Sequence, residues 1–169
     1  QGFGVGVYPD ESDAAFVSLN LTGMAGYTDP ASDNYGNYQH TNGSVMVFVP
    51  KFYFRVGNSG AENYATYGAN TLEIAGTDQF SDTASAEAAG YKLHPAFIDG
   101  GSEKHGFFTD KYLLSKDGGN AVSVKNGVPI SLTASTSYTN SNGFLGGTGI
   151  LADSLLLCRS RGTGYNQTS

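Results

Sequence analysis

Residues 43–55 constrain this chain more than any other stretch. Five apolar residues in a row, Val45, Met46, Val47, Phe48 and Val49, lead into Pro50. An alternating run follows, with Phe52, Phe54 and Val56 on one side and Lys51, Tyr53 and Arg55 on the other. A continuous apolar run of this length fits a strand buried on both faces, and a period of two fits a half-exposed one. Proline donates no backbone hydrogen bond, so Pro50 marks a break or an edge between the two strands. The segment reads as the buried centre of a mixed domain.

At 169 residues the chain is long enough for one domain with a substantial core. Its 24 glycines, absence of tryptophan and 14% charged residues describe a loop-rich, β-rich exterior protein rather than a helical cytosolic enzyme. A formal charge of −6 with no cluster of Lys and Arg argues against nucleic-acid binding, because phosphates need concentrated positive charge. Cys158 is the single cysteine, which excludes an intrachain disulfide and a multi-cysteine metal site. Within the run 155–158 it reads as a small buried hydrophobe. No apolar stretch approaches the roughly 18 residues of a membrane span. The sequence opens at Gln1 without methionine, and the expectation is a piece of a longer polypeptide.

Along the chain, Gly2, Gly4 and Gly6 alternate with Phe3, Val5 and Val7, the pattern of a glycine-rich strand approached by another backbone. Residues 24–40 are dense in turn formers and carry Tyr27, Tyr35 and Tyr38, which predicts a long ordered loop with exposed aromatics. Residues 57–76 are again polar and carry Tyr64 and Tyr67. A short helix is predicted over 81–90, capped by Asp82 or Thr83 and stopped by Gly90. His94 to Ile98 reads as extended and closes in the turn Asp99-Gly100-Gly101. Residues 106–115 form an aromatic strand, 116–120 a loop, and 122–129 a small hairpin turning at Asn126-Gly127. A surface segment over 133–149 and a helix over 150–161 complete the reading.

Reaction chemistry is not visible. His40, His94 and His105 lie on separate segments without metal-ligand spacing, and His94 before Pro95 is expected to close a turn. No serine or cysteine is placed beside a base. Asp99, Glu103, Asp110 and Asp117 show no pattern that sets a glycosidase pair. Asp29, Asp33, Asn34 and Asn37 offer hard oxygen donors suited to calcium, but their spacing is not that of the twelve-residue calcium loop, and turn chemistry is the expected role. Neither a cofactor nor a metal is expected. What remains is recognition: tyrosines on glycine-bearing loops give rigid amphipathic contacts. Tyr27, Tyr35, Tyr38, Tyr64 and Tyr67 are the candidate contacts, with packing inside the domain as the competing role of each.

Residues 45–57 resemble the opening of the formylglycine-generating-enzyme-like domains, a hydrophobic strand, a proline and an aromatic hairpin ending in glycine. Residues 106–115 are similar to the aromatic strand of those domains that ends in Asp-Lys-Tyr, here Asp110, Lys111 and Tyr112. Residues 149–162 sit where that family has a leucine- and alanine-rich helix. The texture of residues 28–39, 46–55 and 91–101 looks like tail-fibre or virion proteins of tailed bacteriophages. The resemblance covers residues 27–166. It implies an α+β, C-type-lectin-like fold, rich in strands and loops, with about two short helices. Two departures matter. Catalytic members hold copper with a cysteine pair, and this chain has Cys158 alone, so oxidase activity is not carried over. The tryptophan- and glycine-rich second half of the family fold is missing, which implies a fold incomplete at its C-terminal side or completed by neighbouring chains.

The expected organisation is a glycine- and tyrosine-rich segment over 1–44 and a lectin-like domain over 45–169. The expected function is that of a bacteriophage virion surface protein of the tail-fibre or receptor-binding type. It would engage a host-surface glycan or protein without catalysis, as a homo-oligomer (a trimer) among other virion proteins, with no nucleic acid and no membrane insertion. The alternative is a capsid-decoration or tail-ornament protein that binds other virion subunits. An enzyme acting on surface polysaccharide and a cellular adhesin of the same fold are the remaining classes.

Overall fold

The computed structural model describes residues 6–117 and 120–128. In chain order the elements are α1 (Ala14–Val17), β1 (Leu21–Gly23), β2 (Asn37–His40), β3 (Val45–Pro50), β4 (Phe52–Val56), α2 (Tyr64–Tyr67), β5 (Leu72–Gly76), α3 (Thr83–Ala88) and β6 (Lys92–Leu93). They continue with β7 (Ile98–Asp99), β8 (Ser102–Glu103), β9 (Gly106–Asp110), β10 (Ser115–Asp117) and β11 (Asn120–Val122). The result is a mixed α+β protein, strand-rich, with open sheets and few, short helices. The chain divides into two compact units, one of Gln1–Pro9 with Val49–Phe107 and one of Asp10–Phe48 with Phe108–Ser169. They are called the first and second unit below. The boundary expected between residues 44 and 45 falls inside the second unit, at the entry to β3.

The second unit is built on the sheet order β1-β2-β3-β9. β1 and β2 run antiparallel with Leu21 opposite His40, and β2 and β3 run antiparallel with Tyr38 opposite Met46. The β2–β3 link turns at Gly43, whose φ of +90° suits a residue without Cβ. Phe16, Leu21, Tyr38, Met46 and Phe108 form the core, with Leu19, Tyr27 and Phe48 packed against it. Tyr38 is its centre. Its ring meets Phe108 edge-on at 5.1 Å, Tyr27 at 5.3 Å and Phe16 at 6.0 Å, the offset geometry that aromatic quadrupoles favour. Phe16 reaches the core from α1, a single helical turn whose Asp13 side chain accepts from the Ala15 N–H at 2.8 Å.

Residues 24–40 therefore differ from the long loop expected. Their last four residues are β2, because Tyr38 has an apolar cavity to fill and strand pairing satisfies its backbone. The continuous apolar run behaves as expected at its start: neighbours Val45 and Met46 are both buried, which requires cover on both faces of β3. The entry to β3 is tied by buried serines. Ser123 donates its N–H to Ser44 Oγ at 3.1 Å, Ser123 O accepts from Val45 N at 2.7 Å, and Ser123 Oγ accepts from Tyr112 N at 2.9 Å.

The expected hairpin over 122–129 is displaced. β10 and β11 pair antiparallel, Ser115 opposite Val122, so strand structure occupies part of the stretch expected to be a loop. Asn126-Gly127 does make a tight turn: Asn126 has φ +65° and Gly127 N donates to Val124 O at 3.1 Å. The helix expected over 150–161, the segment over 133–149 and residues 1–5 lie outside the described residues.

In the first unit β4 is the central strand, with β5 and β6 antiparallel on either side. Pro50 ends β3 and β4 begins at Phe52, so the proline separates strands of two different sheets. One face of the three-stranded sheet carries Tyr53, Arg55, Glu73 and Ala75; Tyr53 and Ala75 are fully buried there. The other carries Phe52, Phe54, Val56, Leu72 and Ile74. Phe52 packs edge-on against the buried Phe97 at 5.0 Å and against His94 at 5.1 Å, while Val56, Leu72 and Ile74 stand exposed at the far end.

α3 follows its sequence signals. Asp82 accepts from Ser85 N at 2.7 Å, and this bond holds its carboxyl below the usual carboxylate range. At the other end Gly90, with φ +82°, donates to Glu87 O while Tyr91 N donates to Ala86 O, the paired bonds of a glycine-terminated helix. His94 Nδ1 accepts from Ala96 N at 3.2 Å, closing the turn expected of it; Pro95–Phe97 form a 3-10 turn rather than an extended stretch. Gly100 and Gly101 both take positive φ, which a two-residue hairpin between β7 and β8 demands.

Candidate recognition surfaces

The five tyrosines expected to contact a partner separate into three environments. Tyr38 is wholly buried at the centre of the second unit, which corrects its expected exposure. Tyr27 is half-buried above it. Its ring lies so close to Gly23 that a Cβ there would sit 2.6 Å from Tyr27 Cε1. A hydrogen bond from the phenol to the Glu11 carboxylate, with burial and the same negative charge, raises the Tyr27 pKa above its ordinary value. Tyr27 thus has a structural post. Tyr35 is half-buried in the turn-rich stretch before β2.

Tyr64 and Tyr67 open and close α2 in the first unit; Tyr64 is half-buried and Tyr67 is 61% exposed. The turn is short because Gly68 follows with φ +55°, and Thr71 then donates both its N–H and its hydroxyl to Gly68 O. The chain returns directly into β5. This strand lies within a stretch that reads as polar and tyrosine-bearing, although Leu72 and Ile74 show the period of two that marks a strand.

An open depression of about 300 Å³ lies along β5, lined by Ala61, Asn63, Leu72, Glu73, Ile74, Gln79 and Tyr91 among others. Its floor is electrostatically closed. Glu73 Oε2 accepts from Arg55 Nε and from Asn58 Nδ2, both at 2.9 Å, and Oε1 accepts from Arg55 Nη2 at 3.0 Å. The Arg55 fork, then Asn58, holds the Glu73 carboxyl below the usual range. Glu73 in turn raises Arg55, whose guanidinium also lies 4.4 Å from the Tyr91 ring centre and donates to Ala89 O at 3.0 Å. These groups brace β4, β5 and the end of α3 against one another.

A second ionic tie has the same character. Lys51 Nζ meets Glu103 Oε2 at 3.2 Å, and Thr83 donates to Glu103 Oε1 at 2.8 Å. Burial works to lower the Lys51 pKa, but the bond to Glu103 and attraction to Tyr53 outweigh it, and the net shift is upward. Thr83 and Lys51 hold Glu103 low.

Asp29, Asn34 and Asn37 are engaged in turn chemistry. Asp29 accepts from Ala31 N, Asn34 donates to Ala25 O, and Asn37 donates to Asp33 O at 3.4 Å, while its Oδ1 accepts a long-range bond from Lys111 Nζ at 2.7 Å. Among the described residues no three His, Cys, Asp or Glu side chains gather as they would around a metal ion, and no helix is long and apolar enough to cross a membrane. Compared with family models, with curated proteins and with solved structures, the chain matches none.

Proposed function

We propose that this chain is a virion surface protein of a tailed bacteriophage, of the tail-fibre or receptor-binding type. It would work by non-covalent recognition on a C-type-lectin-like scaffold rather than by turnover. Its partners would be a host-surface glycan or protein and other virion proteins, and it would act as a homo-oligomer whose repeated weak sites raise avidity. The observation that supports the reading is the presentation of Tyr64 and the 61% exposed Tyr67 on a one-turn support, α2. The adjacency of β3 and β9 in one sheet is in keeping with the scaffold, since β3 carries the first part of one stretch that resembles it and β9 most of the other, while the aromatic part of the first stretch forms β4 in a different sheet. Purified protein should bind host envelopes and compete with phage adsorption, and Tyr67→Ala should weaken both. Full binding by a Tyr64→Ala, Tyr67→Ala double variant would remove α2 from the account, and no binding to any envelope component would end it.

The exposed end of the β4–β5 face favours a second reading, a decoration or tail-ornament protein bound to other virion subunits. Val56, Leu72 and Ile74 are 56%, 58% and 45% exposed on adjacent positions, and such apolar clusters mark protein contacts. Copy number per particle separates the two: a few copies fit a fibre, hundreds fit a shell or tube.

A further inference from the structure

Two of the polar side chains around β5 serve the fold. Glu73 is held by Arg55 and Asn58, and the Thr71 hydroxyl donates to Gly68 O. Glu62, Asn63 and Gln79 differ: among the described residues their side chains make no hydrogen bond or ion pair. Asn63 is the clearest case. It directly precedes α2, where an asparagine side chain ordinarily accepts a backbone N–H, yet it caps nothing. All three residues are exposed, and all three line the depression of about 300 Å³ beside β5.

The chemistry of this lining selects among ligands. Each amide offers N–H donors beside a carbonyl acceptor, and the Glu62 carboxylate adds two acceptor oxygens. That mixture matches adjacent sugar hydroxyls, each of which both donates and accepts. Leu72 and Ile74, exposed in the same lining, offer apolar surface to the C–H face of a sugar ring. Among the described residues no Lys, Arg or His lines the depression, and Glu73 is already neutralised by Arg55. The uncompensated charge is the Glu62 carboxylate. Sialylated, sulfated or phosphorylated sugars would meet repulsion there with no cation to offset it. A cationic ligand would leave the amide N–H donors unmatched. The site is also preformed: Tyr91, in the lining, is held by the Arg55 guanidinium 4.4 Å from its ring centre, so binding orders few groups.

We propose that this depression binds a neutral saccharide, with Glu62, Asn63 and Gln79 as its hydrogen-bonding groups. The proposal rests on the receptor-binding reading and narrows it to one ligand class and one site. The full chain is tested against three immobilised probes: neutral oligosaccharides of hexose and N-acetylhexosamine units, their sialylated counterparts, and oligolysine. Binding is expected to the neutral oligosaccharides only. Glu62→Gln and Gln79→Ala should each weaken it about tenfold or more, the scale of one lost hydrogen bond to a ligand. Both positions are exposed, so the thermal melts should not change. The site is overturned if the parent binds no neutral oligosaccharide, if it binds a charged probe as well, or if either variant binds as the parent does. Host envelopes separate this claim from the reading it rests on. Envelope binding that both variants keep overturns the depression alone. No envelope binding by the parent, beside intact oligosaccharide binding, overturns the receptor-binding reading alone.

Discussion

In the second unit aromatic rings hold one another: Tyr38 is enclosed by Phe16, Tyr27 and Phe108, and the charged groups stay outside this cluster. In the first unit the sheet is braced by ion pairs, Arg55 with Glu73 and Lys51 with Glu103, while large apolar side chains remain exposed at one end. The difference separates side chains enclosed by the fold from those left exposed on it. A tyrosine enclosed by rings is part of the fold. One at the end of a single helical turn, such as Tyr67, stays exposed.

The sharpest way to break the contrast is to empty the aromatic core. Phe108→Ala should cost about 3–5 kcal/mol, the range for deleting a buried aromatic ring, in denaturant unfolding. A loss under about 1 kcal/mol would mean that the cluster is not the principal support of the second unit. Next in size is Gly23→Ala. Its new Cβ would press on the Tyr27 ring, and overpacking of this kind costs about 1–3 kcal/mol. Combining it with Tyr27→Ala should relieve the clash, so the two changes should be far from additive.

The ionic bracing of the first unit should be weaker and dependent on pH. Glu73 and Glu103 titrate lower in the fold than in the unfolded chain, whose glutamates sit at about 4.3. Their contribution is present above that value and lost as pH falls through the lower folded values. Glu73→Gln should lower the melting temperature at neutral pH, and the gap from the parent should close as the medium is acidified below about pH 4.3. A gap independent of pH would assign the role of Glu73 to packing. Arg55→Lys should also destabilise, because an ammonium cannot reproduce the two-pronged contact with Glu73. The smallest stability effect belongs to Tyr67→Ala, within about 0.5 kcal/mol, with any loss confined to binding.

Local signals were legible wherever a few adjacent residues settle the outcome. Asp82 and Gly90 mark the ends of α3, Pro50 marks the break between strands, and Gly100-Gly101 mark the β7–β8 turn. The structure departs from the local signals where long-range packing decides. Tyr38 lies among turn formers and looks like its neighbours Tyr35 and Tyr27, yet it is buried because Phe16 and Phe108, distant in sequence, converge on it. Leu72 and Ile74 were hidden in a polar, tyrosine-bearing stretch, and their strand exists because β4 offers it a partner. The Glu73–Arg55–Asn58 network was likewise invisible, since separations of 18 and 15 residues carry no motif.

From sequence alone came the mixed strand-rich class and the turn and capping chemistry. These depend on period, on φ preferences and on hydrogen bonds spanning a few residues. Tertiary structure decided which of the described tyrosines are core and which are surface, and that the two strands flanking Pro50 belong to different sheets. Those outcomes depend on which distant segments meet, and a side chain's burial is a property of that meeting rather than of the residue itself.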